Sequence, residues 1–132
     1  MTREELKNFR QLTFTIRYWE NELAILRKES YTRSPQLTGL PGSGELKDPT
    51  GERALKEAKV IERIERLVTE QKKESERVMK WIQSIDDPLI QTIMHARYIR
   101  GKSWVAVGYL CGNTAENVRQ IHSRYLSHLS HK

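Results

Sequence analysis

The sequence predicts an all-α protein: a hairpin of two long helices, coiled-coil-like in its patterning, followed by a compact unit of short helices. Three observations lead there. Apolar residues recur at steps of three and four over two long stretches, a proline- and glycine-rich break separates those stretches, and from residue 86 onward capping residues and glycines mark off several short helices. The bulk composition agrees. Of 132 residues, 30% are charged and 37% hydrophobic, a balance that suits long amphipathic helices, which have much surface for their length.

The first segment, 1–33, sets Phe9, Leu12, Ile16, Trp19, Leu23 and Leu26 on one stripe, with Arg10, Arg17, Glu20, Glu22 and Arg27 beside it. No glycine or proline interrupts this heptad-like pattern. The second segment, 34–51, reads SPQLTGLPGSGELKDPTG and is expected to be a flexible connector. Its GLPGSG piece superficially suggests a phosphate cradle. No apolar strand precedes it, however, and Gly44 is followed by Glu45-Leu46 instead of Lys and Ser or Thr.

The third segment, 52–85, is expected to open a second long helix near Glu52. Ile61, Ile64, Val68, Gln71, Ser75, Val78, Ile82 and Ile85 form its stripe, weakened in the middle by Gln71 and Ser75. Ten basic and nine acidic residues between Glu45 and Lys80 nearly cancel, so this helix offers no electrostatic grip on nucleic acid; its charges form a solvated face. The two stripes must cover each other or a second copy, so self-association through the hairpin is expected.

The fourth segment, 86–132, opens with a helix restart. Asp87 can cap free amides, and Pro88 suits the first helical position because it lacks an N–H there. Ile90, Ile93, Met94, Arg97 and Tyr98 then share an inner face until Gly101 closes the helix. Ser103 caps a short helix through Val107, Gly108, Leu110 and Cys111, and Gly112 makes a turn into a last helix. A small residue at Gly108, a turn at Gly112, and Val118 and Ile121 facing inward are what a helix-turn-helix requires. Val118, Ile121, His122, Tyr125 and Leu129 lie on one side of that last helix. Its other side presents Glu116, Arg119, Gln120 and Ser123, side chains that can meet base edges in a major groove. Asn117, Arg124 and Lys102 flank them as candidate phosphate contacts. The bland reading is a small bundle whose polar face is only solvated.

The stretches VGYLCGNTAEN and VRQIHSRYL resemble region 4 of sigma-70-type factors, the part that reads the −35 promoter element. The longer run LIQTIMHARYIRGKSWVAVGYLCGNTAENVRQIHSRYL is similar to the sigma-region-4-like domain of phage late-gene transcriptional regulators of the ArpU/RinA type. Arg97-Tyr98, Gly101, Ser103-Trp104, Val118 and Ile121-His122 are the matching positions, and the likeness extends more loosely over nearly the whole chain. Gly108-Tyr109 stands where an alanine and an acidic residue are more usual, and Cys111-Gly112-Asn113 is an unusual turn. The resemblance implies a phage or prophage late-gene activator that binds double-stranded DNA and acts with host RNA polymerase. No segment resembles the sigma regions that bind the −10 element.

Other chemistry finds less support. The net charge of +6 is a mild pull toward polyanions. The single cysteine, Cys111, excludes an internal disulfide and reads as a small buried hydrophobe. No apolar run reaches the ~18 residues of a membrane-spanning helix and the first residues lack a signal-peptide core, so a cytoplasmic location without membrane contact is expected. His95, His122, His128 and His131 have no cysteine or carboxylate cluster to complete a metal site. Asp86 and Asp87 are explained by capping, and Trp81 and Trp104 by core packing. No nucleophile–base pair or dinucleotide fingerprint is visible, so neither enzymatic activity nor a cofactor is expected. Two other functions fit the same plan: a DNA-packaging adaptor like phage small terminase subunits, and a helical oligomeric interaction protein.

Overall fold

The computed structural model describes residues 1–32 and 49–130, all of whose regular structure is helical. Helix α1 spans Arg3–Thr32 and α2 spans Pro49–Gln83. Three shorter helices follow: α3 (Pro88–Met94), α4 (Trp104–Leu110) and α5 (Ala115–Ser130), with a π-helical turn (His95–Ile99) continuing α3. Of the connector expected at 34–51, residues 34–48 lie outside the described residues, and 49–51 are already the first turn of α2. Pro49 is compatible with that position because the first helical residues have no intrahelical use for an N–H.

The chain divides into two compact units, one comprising Met1–Phe14 with Thr69–Lys132 and the other Thr15–Val68. In both, α1 and α2 run antiparallel. In the first unit Glu5 pairs with Arg77 at 3.0 Å, and Gln71 donates to the Thr13 hydroxyl at 3.1 Å. In the second, Arg53 donates to the Glu29 carbonyl at 3.5 Å and the Arg63 guanidinium lies 4.4 Å over the Trp19 ring. The polar residue interrupting the second stripe, Gln71, is therefore satisfied by a partner on the first.

The first unit holds the core. Leu6 and Phe9 of α1, Val78 and Ile82 of α2, and Ile85 just beyond α2 join Met94, Tyr98 and Leu126 in one buried cluster. A second cluster, Ile93, Ala96, Val107 and Val118, ties the short helices together, with Trp104, Cys111 and Ile121 packed against it. The short helices are thus not a separate body attached to a hairpin; the amino-terminal turns of α1 complete their core.

The π turn departs from the continuous inner face expected for Ile90 to Tyr98. The Arg100 N–H donates to the His95 carbonyl five residues back, at 3.1 Å. That wider turn rotates the following side chains and brings Ala96 inward. Ile93 and Ala96 enter the second cluster while Met94 and Tyr98 enter the first. Arg97 is left at the edge, half-buried. The caps are as expected: Asp87 accepts from the Leu89 and Ile90 N–H groups at 2.8 and 3.3 Å, and Ser103 from the Ala106 N–H at 3.2 Å.

Leu6 is fully buried in the first cluster, and removing its side chain leaves a cavity in that core. Leu6→Ala is therefore expected to lower stability by about 2–5 kcal/mol. Urea denaturation followed by tryptophan fluorescence checks this; an unchanged midpoint would show that α1 does not belong to this core.

Candidate nucleic-acid interface

The turn between α4 and α5 is built by two glycines with different duties. Gly112 has φ +64° and closes α4 with a pair of backbone bonds, Asn113 N–H to Gly108 carbonyl at 2.8 Å and Gly112 N–H to Tyr109 carbonyl at 3.3 Å. Only glycine takes that conformation without strain. Gly108 is needed for closeness, since a Cβ there would sit 2.9 Å from backbone atoms of Asn113, Thr114 and Ala115. The start of α5 therefore lies directly against α4.

Side chains of the turn then fix the first residues of α5. The Thr114 hydroxyl accepts from the Asn117 N–H at 3.1 Å, and the Asn113 carboxamide oxygen accepts from the Thr114 N–H at 3.3 Å and from Asn117 Nδ2 at 2.5 Å. Asn117, expected at a phosphate, thus spends its side-chain amide on bracing the turn.

The outward face of α5 brings three of the four expected base-facing residues into one group. Glu116 accepts from Arg119 Nη2 at 2.7 and 2.8 Å, from Arg119 Nε at 3.2 Å and from Gln120 Nε2 at 3.3 Å. All three are exposed. The hydrogen bond from Arg119 holds the Glu116 carboxyl below the usual range, and Glu116 raises Arg119 in turn. The group is neutral as a whole and presents forked donors and acceptors at a fixed spacing. Ser123 does not join it. It is half-buried, and its carbonyl accepts from Arg3 at 3.1 Å. Arg124 is exposed on α5, and Lys102 is exposed on the loop before α4. The Lys102 carbonyl accepts from Arg97 at 3.1 Å and from Arg10 at 3.4 Å.

Beneath this face lies a buried polar pair. His122 Nε2 and the Tyr98 hydroxyl share a hydrogen bond of 2.5 Å, and the Trp104 ring meets His122 edge-on with centroids 4.7 Å apart. The Arg97 guanidinium stacks 4.1 Å over the other contact of that group, the Trp104 ring. Burial first, then the Arg3 and Arg97 charges, push the His122 pKa from 6.5 down to about 4. His122 is therefore a neutral packing residue, in keeping with its place on the inner side of α5.

Residues outside the sequence reading also surround α5. Arg3 donates to the Ser123 carbonyl and the Ser127 hydroxyl, both at 3.1 Å, and Arg10 donates to the Arg97 carbonyl at 2.9 Å. By sequence pattern Arg10 belongs only to the charged flank of a coiled-coil stripe, and nothing in the pattern singles out Arg3. No local signal places Arg3 beside the last helix or Arg10 beside the π turn. Val105 and Tyr109 project from α4, at 74% and 86% exposed. An open cavity of about 480 Å³ lies among Met79, Ile82, Gln91, His95, Arg100 and Leu110. Among the described residues, no group of three or more His, Cys, Asp or Glu side chains is placed to hold a metal ion, and no helix is long and apolar enough to cross a membrane. No family model, curated protein or solved structure matches the chain.

Because the folded pKa of His122 lies below its ordinary value of 6.5, the unfolded chain takes up this proton first on acidification. Its contribution to stability is complete above pH 6.5 and is lost as the pH falls toward about 4. The loss amounts to up to about 3 kcal/mol. Urea titrations at successive pH values should show this slope in the wild type and a shallower one in His122→Gln. Identical pH profiles for the two proteins would contradict the assignment.

Proposed function

We propose that the chain is a sequence-specific DNA-binding transcription regulator, of the phage late-gene kind that its sequence resembles, with α5 entering the major groove. One observation carries the reading: a helix held by a glycine turn and a buried His122–Tyr98 pair presents Glu116, Arg119 and Gln120 outward as one hydrogen-bonding group. Docked in a groove, Gln120 pairs with an adenine edge, Arg119 with a guanine, and Glu116 accepts from a cytosine amine or orients Arg119. Since the Glu116–Arg119 pair is exposed, exchanging it for base contacts costs little. Arg124 and Lys102 hold phosphates, which fixes register and adds affinity alike for all sequences. Host RNA polymerase is the partner that this kind of regulator would address.

Selection of bound fragments from the source genome, followed by footprinting, tests the reading directly. A site upstream of late genes supports transcription control, and a site at a packaging start supports a small-terminase-like adaptor instead. On the selected site, Gln120→Ala should relax preference at one or two base pairs, by about 1–3 kcal/mol, with nonspecific binding nearly intact. Arg124→Ala should weaken all sequences together and flatten the salt dependence by about one unit. With about four phosphates neutralised, log K for the wild type should fall with log salt at a slope of roughly −3 to −4. A flat salt response would remove DNA binding from consideration and leave a helical interaction protein.

Self-association belongs to the same proposal and is supported by the second unit. There Ile16 is buried, but Trp19, Leu23, Leu26, Ile61 and Ile64 are only half-buried, and Tyr18, Ile25 and Leu55 are exposed. A second copy laid along this arm removes that apolar surface from water. Sedimentation should give a mass above that of one chain for the wild type and a monomer for the Ile16→Asp, Leu23→Asp double variant. A wild-type monomer at micromolar concentration would dismiss the arm as an interface.

A further inference from the structure

We propose that α1 is itself part of the DNA-binding surface, with Arg3, Lys7 and Arg10 forming a basic ridge beside α5 that follows the phosphates of one strand of duplex DNA. The inference rests on the reading of α5 as the helix that enters the groove, and it adds to that reading a contact from the opposite end of the chain.

The ridge is set by contacts at both ends. Arg3 donates to the Ser123 carbonyl and Ser127 hydroxyl, so it lies against the edge of α5 that carries Ser123. Arg10 donates to the Arg97 and Lys102 carbonyls, so it lies at the loop leading into α4. Lys7 stands between them on the same face, four residues after Arg3 and three before Arg10, and it is exposed. Seven residues of helix span about 10 Å, roughly three phosphate-to-phosphate steps of axial rise on one strand. The ridge therefore joins two places already assigned to the interface, the outer edge of α5 and the Lys102 loop.

Charge identifies the occupant. Positions 3, 7 and 10 are all basic, while the carboxylate of Glu5 is turned to the other side of α1, where it pairs with Arg77 at 3.0 Å. Glu4 projects about 100° round the helix from Arg3 and about 60° from Lys7, so it borders the ridge on its solvent side. The Arg10 and Arg97 guanidiniums converge on one acceptor, both donating to the Lys102 carbonyl, at 3.4 and 3.1 Å. Arg97 gains no carboxylate there: desolvation and the nearby Arg10 charge both lower its pKa. A row of cations at helical spacing, extending a surface that already offers base-reading groups, fits a polyphosphate backbone.

Lys7 provides the test, because it is exposed and stands outside the core. The full-length wild type, Lys7→Gln, Lys7→Arg and Lys73→Gln are titrated against a mixed-sequence duplex by fluorescence anisotropy over a range of salt. Lys73 is exposed on α2, two residues after Gln71 and so on the side of the helix turned away from α1 and the ridge. Lys7→Gln is expected to weaken binding about five- to tenfold near 0.1 M salt and to flatten the salt slope by about one unit. Lys7→Arg should retain both properties, and Lys73→Gln should match the wild type. Equal losses for Lys7→Gln and Lys73→Gln would reduce the effect to net charge and overturn the ridge. Unchanged binding by Lys7→Gln, with Arg124→Ala still weakened, would overturn the ridge and leave the reading of α5 standing; a ridge that instead serves an acidic protein gives this result. A wild type with no salt-dependent affinity would overturn both.

Discussion

Val118 and Leu126, about two turns apart on α5, are fully buried in different clusters. Val118 meets Ile93, Ala96 and Val107 of the short helices, whereas Leu126 meets Leu6, Phe9, Val78 and Ile82 of the long ones. This double burial is the constraint on which the rest depends. One helix anchored in two cores can neither roll nor slide without opening one of them, so its outer face is fixed with respect to both. The π turn serves the same constraint. By widening one turn of the third helix, it gives Ile93 with Ala96 to one cluster and Met94 with Tyr98 to the other.

Electrostatics follow from this packing. Tyr98 of the first cluster and Trp104 beside the second both contact His122, with Arg97 stacked on the tryptophan. Burying an imidazole among guanidiniums favours its neutral form, and the phenol supplies its hydrogen bond. The arginines in turn direct their donors to backbone carbonyls of Arg97, Lys102 and Ser123. Cationic side chains thus cement the junction of α1 with the short helices, and their positive charge remains on that side of the molecule. Under the proposed function this charge has a use, because a helix in a groove requires phosphates to be held beside it.

The two units divide the labour that the proposed function needs. One carries the closed core and the polar helix face; in the other, the apolar stripe of the hairpin is covered only in part. A protein that binds a two-fold operator gains affinity from pairing two such arms, since the second contact with DNA becomes intramolecular. A packaging adaptor would use the same arm to close a ring.

The sequence by itself determined the helical class, the two stripes, the caps at Asp87 and Ser103, and the glycine turn, because each rests on local chemistry. Periodicity marks an inner face, a carboxylate or hydroxyl satisfies free amides, and positive φ favours glycine. It also placed Glu116, Arg119 and Gln120 outward on α5, away from Val118, but not the half-buried setting of Ser123. What it could not supply was anything depending on residues far apart in the chain. That Leu6 and Phe9 complete the core of the last helices, that Arg3 reaches Ser123 across 120 positions, and that Gln71 finds Thr13 are tertiary outcomes. So is the π turn, since a continuous α-helical reading satisfies the sequence until two cores compete for the same four side chains. Even within α5, spacing placed Glu116, Arg119 and Gln120 on one face, but only the folded geometry closed them into a group and gave Asn117 to the turn. Pattern reveals which way a side chain points; which partner it meets there is decided by the packing of the whole chain.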